Sequence, residues 1–129
     1  MNFLLDTCTL LWFIGEYEKL SSNAISILED GSNAVFLSYA SIWEIAIKFS
    51  AGRLEIFQPS FSQFISQEVE GYDFQKLPID IPHLQQVAEL PFHHRDPFDR
   101  LIIAQSLVED LPIITSDRAF DSYEIQRLW

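Results

Sequence analysis

Short apolar runs alternate with helical stretches along this chain, and nothing between them reads as a hairpin turn. Phe3-Leu4-Leu5, Ala34-Val35-Phe36-Leu37-Ser38 and Pro112-Ile113-Ile114-Thr115 are too short for amphipathic helices and read as buried strands, with residues 74–77 a further candidate and 123–125 a last one. Strands joined through helices run parallel and are covered on both faces. The pattern therefore predicts an α/β fold, a three-layer α/β/α sandwich with a short, mostly parallel central sheet, formed by residues 1–129 as one domain.

Helices are expected over residues 9–13, over Ser22–Glu29 behind the cap cluster at Ser21, over 39–51 before Gly52, over 61–69 and over 81–90 with Pro82 in the first turn. The clearest is 98–109, opened by Asp96 as N-cap and Pro97 at its first position. A short helical turn should follow at 118–120.

Sites in parallel α/β sheets form beyond the carboxyl ends of the strands. Two acids fall there: Asp6 closes Phe3-Leu4-Leu5, and Asp117 follows Pro112-Ile113-Ile114-Thr115-Ser116. Glu44, in Ser41-Ile42-Trp43-Glu44-Ile45, and Asp99, in Asp96-Pro97-Phe98-Asp99-Arg100-Leu101-Ile102-Ile103, also sit in apolar company. Each has a structural alternative. Asp6, Asp96 and Asp117 could cap the helices they precede. Ser41-x-x-Glu44 matches a capping box, unless Ser38 is the cap, and Glu44 could pair with Lys48 one turn on. Asp99 is the most telling, because it precedes Ile102 and Ile103 by one turn and should point toward the sheet.

Carboxylates are costly to bury alone, and this chain has only eight Lys and Arg and three His against nineteen Asp and Glu. Several acids brought together would repel unless a cation joined them, and an all-oxygen set selects Mg²⁺ or Mn²⁺ over zinc or copper. Candidate ligands are Asp6, Glu44, Asp99 and Asp117, with Asp96 an additional one if it is not simply a helix cap. Lys48, Arg95 and Arg100 neighbour these acids and could meet phosphates. His93 and His94 read as exposed loop residues, and the Phe and Trp residues mainly as core.

The net charge of −11 argues against gripping nucleic acid by general electrostatics and suits a basic protein partner. The single cysteine, Cys8, fits a reducing compartment. With no signal-peptide pattern and no apolar run long enough to span a membrane, the cytoplasm is expected.

The segments Leu4-Leu5-Asp6-Thr7, Ser41-Ile42-Trp43-Glu44-Ile45, His94 to Gln105 and Ile114-Thr115-Ser116-Asp117 together resemble a PIN-domain ribonuclease, specifically the VapC-type toxin of a toxin–antitoxin pair. The resemblance covers nearly the whole chain in order. It implies a metal-dependent endoribonuclease that cleaves RNA phosphodiesters, a homodimer, and a basic antitoxin that occupies the active-site cleft. By motif, Asp6, Glu44 and Asp99 match the acidic core and Asp117 the fourth acid; Asp96 is extra. Two other readings compete. One is a PIN-like scaffold that binds a partner without catalysis. The other is an aspartyl-phosphate phosphotransferase or receiver, disfavoured because Cys8 stands where a second acid would follow Asp6 and no Lys follows Lys76.

Overall fold

A computed structural model describes residues 1–54 and 58–129. Five strands form one sheet: β1 (Asn2–Leu5), β2 (Ala34–Ser38), β3 (Gln75–Leu77), β4 (Ile113–Ile114) and β5 (Arg127–Leu128). Their order is β3-β2-β1-β4-β5, and every pairing is parallel. The helices are α1 (Thr7–Gly15), α2 (Ser22–Glu29), α3 (Tyr39–Ser50), α4 (Phe61–Phe64), α5 (Ile81–Glu89) and α6 (Pro97–Glu109). Helix α4 runs on into a π-helical turn, Ile65–Glu70.

Strand alternation builds the three layers. Phe3, Leu5, Val35, Leu37 and Ile114 point to one face, where they meet Leu10, Ala24, Ile45 and Phe64 from α1 to α4. Leu4, Phe36 and Ile113 point to the other, against Leu90, Ile102 and Ile103 from the α5–α6 side. With side chains alternating every residue, consecutive apolar residues in one strand feed both cores. That is why the runs lack polar alternation.

The connections diverge at β1. The chain passes from β1 through α1 and α2 to β2, whereas β4 lies on the opposite side of β1, with Leu5 opposite Ile114. This places a topological switch point at the carboxyl ends of β1 and β4, where a crevice opens.

Two expectations shift. The last strand is Arg127–Leu128 rather than 123–125, because Tyr123 is buried and its hydroxyl is engaged by the loop before α6. Trp43 is not core: it is 59% exposed, with its ring edge-on to Phe98 at 4.9 Å. Among the described residues, no helix is long and apolar enough to cross a membrane.

Candidate metal and active site

At the switch point lies a cavity of about 240 Å³, and all four predicted acids line it together with Asp96 and Lys48. They arrive from different elements. Asp6 follows β1, Glu44 sits in the middle of α3, Asp99 stands in the first turn of α6, and Asp117 comes three residues after β4. Residues as far apart in sequence as Asp6 and Asp117 meet because β1 and β4 are hydrogen-bonded neighbours.

The structural alternatives resolve one by one. Asp6 occupies the N-cap position of α1 but makes no capping bond with its side chain. It is buried, and its Oδ2 accepts a hydrogen bond of 2.8 Å from the Thr115 hydroxyl. The capping-box reading of Glu44 fails: Ser38 caps α3 by accepting from the Ala40 N–H, and the Ser41 hydroxyl accepts from Thr7. Among the described residues, no cation lies within ion-pair distance of Glu44, so the simple pairing with Lys48 is also absent.

Asp96 is indeed the cap of α6, its Oδ1 accepting from the Phe98 and Asp99 N–H groups, yet it also borders the cavity. Asp117 does two jobs with two oxygens. Its Oδ1 accepts from the Ala119 N–H and caps the following 3₁₀ turn, while its Oδ2 faces the site.

Electrostatics mark the cavity as overloaded with negative charge. Burial, with Glu44 and Asp117 nearby, raises the Asp6 pKa to about 6 against the donated Thr115 bond. Burial again, followed by the charges of Asp6, Asp96, Glu44 and Asp117, pushes Asp99 up to about 8. A bound dication reverses this logic, since it favours the ionised carboxylates. The donors fit a hard divalent ion: they are carboxylate oxygens lining one open cavity.

Two sequence readings need correction. His94, expected to be an exposed loop residue, has only 16% of its side chain exposed, and its Nε2 lies 3.1 Å from Asp99 Oδ2 and 3.4 Å from Asp117 Oδ2. His94, Asp99 and Asp117 together form a group whose ligand atoms lie within 4.8 Å of one another. The available signal was its position two residues before the Asp96 cap, which fixes the side chain near the start of α6.

Arg100 is no phosphate contact. It is buried, and its guanidinium donates to the carbonyls of Val87, Leu90, Pro91 and His94. Arg95 is exposed in the loop and is not among the residues lining the cavity. Lys48 alone of the three predicted cations faces the acids.

The profile of the PIN domain family matches residues 3–126. No curated protein matches the chain in sequence. Among solved structures, VapBC2 from Rickettsia felis bound to a DNA fragment from its promoter superimposes with a TM-score of 0.75 at 16% identity, covering 100% of this chain and 99% of that one. DNA-bound VapBC from Salmonella typhimurium gives 0.72 at 18%, covering 99% and 97%. FitAcB from Neisseria gonorrhoeae gives 0.66 at 18%, covering 100% and 97%. At such identities the likeness is one of fold.

Proposed function

The chain belongs to the PIN domain family, and on that premise we propose that it is a metal-dependent endoribonuclease, the VapC-type toxin of a toxin–antitoxin pair. The observation that carries this reading is the meeting of Asp6, Glu44, Asp99 and Asp117 in one cavity at the sheet's switch point. These four residues would hold Mg²⁺ or Mn²⁺, with Asp96 at the border. A divalent ion in such a site lowers the pKa of a water and stabilises charge on a phosphodiester undergoing displacement.

The chain's own residues supply the rest. Thr115 orients Asp6 through its hydroxyl and receives the Asp117 N–H, so one side chain aligns two acids. Asp96 holds the first turn of α6 and with it the placement of Asp99. Lys48 faces the same cavity and is suited to meet a phosphate of the RNA. Beyond this contact the protein is strongly acidic, so binding to RNA rests on the site rather than on a basic surface.

Two of the structures that share this fold are named VapBC, and the VapBC family is named as one of toxin–antitoxin systems, which supports a protein partner here. An antitoxin with a basic segment would complement the net charge of −11. An apolar groove formed by Tyr39, Ile42, Trp43, Ala46, Phe61 and Ile65 supports a protein contact on the neighbouring face of α3. The unpaired, exposed Cys8 is consistent with work in the reducing cytoplasm, and the resemblance extends to a homodimer of this one-domain chain.

The test is cleavage of RNA by the purified protein with Mg²⁺ or Mn²⁺, its suppression by EDTA, and calorimetric titration of either ion. Ion-dependent cleavage supports the nuclease. Partner binding without ion uptake or cleavage points instead to a scaffold that has lost catalysis.

A further inference from the structure

The loop between α5 and α6 is tied down from two sides. Arg100 grips its carbonyls from α6, and the Phe92 ring lies over the guanidinium, 4.0 Å from its carbon. From the far end of the chain, the Tyr123 hydroxyl donates to the Pro91 carbonyl at 2.8 Å and accepts the N–H groups of His93 and His94 at 3.1 and 2.8 Å. One residue of α6 and one from a distant segment thus spend their polar groups on one short connection. A connection needs no such anchoring merely to join two helices. What it presents to the acids is His94.

The orientation of that ring follows from its other nitrogen. His94 Nδ1 accepts the backbone N–H of Asp96 at 3.2 Å, so the ring hydrogen belongs on Nε2. Nε2 is the atom that meets Asp117 Oδ2 in a hydrogen bond of 3.4 Å, with Asp99 Oδ2 beside it at 3.1 Å but off the N–H direction. The ring itself is wedged edge-on against Phe120, with centroids 5.7 Å apart.

Building on the metal-nuclease reading above, we propose that His94 is a positioning residue whose Nε2–H holds Asp117 beside Asp99 and so sets the cation affinity of the cavity. It acts as a donor to Asp117 and not as a ligand. Coordination through Nε2 would require the ring hydrogen on Nδ1, where it would point at the Asp96 N–H. Hydrogen bonds that fix ligating groups are commonly worth about 10–100-fold in metal affinity. Arg100 and Tyr123 serve the same end one step further out, by fixing the loop.

Two variants and two readouts test the tether. His94→Gln keeps an N–H donor of similar reach, and His94→Leu removes it. In the metal-free protein, the nitrogen NMR shifts of the His94 ring should show the hydrogen on Nε2; a bare Nε2 overturns the proposal. In calorimetry with Mn²⁺ and with Mg²⁺, His94→Leu should weaken both ions by about 10–100-fold, and His94→Gln should recover most of the loss. Wild-type affinity in His94→Leu overturns the tether. So does a loss confined to Mn²⁺, which would make the ring a ligand. Should His94→Leu not fold, His94→Gln and the ring spectrum decide: near-wild-type affinity in the Gln variant supports the tether and a loss as large as 100-fold overturns it. A wild-type protein that takes up neither ion defeats the nuclease reading instead, and the ring spectrum then judges the tether by itself.

Discussion

The two ends of the sheet each carry an acid-lined cavity, yet they differ in kind. At the amino end a cavity of about 500 Å³ is bordered by Glu109, Asp110 and Glu124, all three exposed. At the carboxyl end a cavity of about half that volume, 240 Å³, gathers Asp6, which is buried, and Glu44, Asp96 and Asp99, which are half-buried, with Asp117 at its rim, 43% of that side chain exposed. Water, and for Glu109 also the His83 ring 3.8 Å away, accommodates the first set. The second set is partly withdrawn from water and mutually repulsive, which raises Asp6 to about 6 and Asp99 to about 8. Neither cavity size nor the number of acids distinguishes a site from a surface. Convergence combined with desolvation does.

The sharpest way to break that contrast is Asp99→Asn. Loss of a ligand in the desolvated set should reduce ion-dependent RNA cleavage by more than about 100-fold, beyond what outer hydrogen-bond partners contribute. The melting temperature of the metal-free variant should stay level or rise, because repulsion is relieved. A mildly destabilised variant with intact turnover would reduce Asp99 to a helix-stabilising residue.

Next in size is the pH dependence of stability. Asp6 and Asp99 bind protons more tightly in the fold than at their ordinary value of 3.8, so the folded state holds extra protons as pH rises from about 4. Metal-free protein should therefore lose stability between about pH 4 and pH 8, as each carboxyl is forced to ionise in place. Added Mn²⁺ should recover most of that loss near pH 8 and little near pH 4. Thermal melts across this range, with and without EDTA, check both statements.

Thr115→Val should cost about 1–3 kcal/mol in chemical denaturation, since it leaves Asp6 Oδ2 and the Asp117 N–H without their partner. It should also weaken ion binding, because both acids lose their common guide. At the other end of the sheet, Glu124→Gln should alter stability by no more than about 0.5 kcal/mol and leave ion uptake and cleavage unchanged. An effect there comparable to that of Thr115→Val would erase the distinction between the two ends.

What the sequence made legible divides along physical lines. The strands and their two-faced burial were readable because apolar runs such as Phe3-Leu4-Leu5 carry that information locally. The four acids were readable because each interrupts or ends such a run, and Asp96 because Asp-Pro opens a helix. The remainder depends on long-range hydrogen bonds that no spacing encodes. Arg100 was read as a phosphate contact because it adjoins Asp99, whereas its partners are backbone carbonyls of a loop. Tyr123 was read into a last strand over 123–125, yet its hydroxyl is committed to residues about thirty positions upstream. His94 looked ordinary for the same reason: its importance comes from Asp117, on a different strand connection.

The central claim concerns where a dication settles. Anomalous diffraction from a crystal of this protein soaked in Mn²⁺ at neutral pH tests it most directly. The account predicts a peak within coordination distance of carboxylate oxygens from Asp99 and at least one of Asp6, Glu44 and Asp117, with none among Glu109, Asp110 and Glu124. Density at the amino-end acids, or an acid cavity that stays without metal while its carboxylates remain in place, would contradict it.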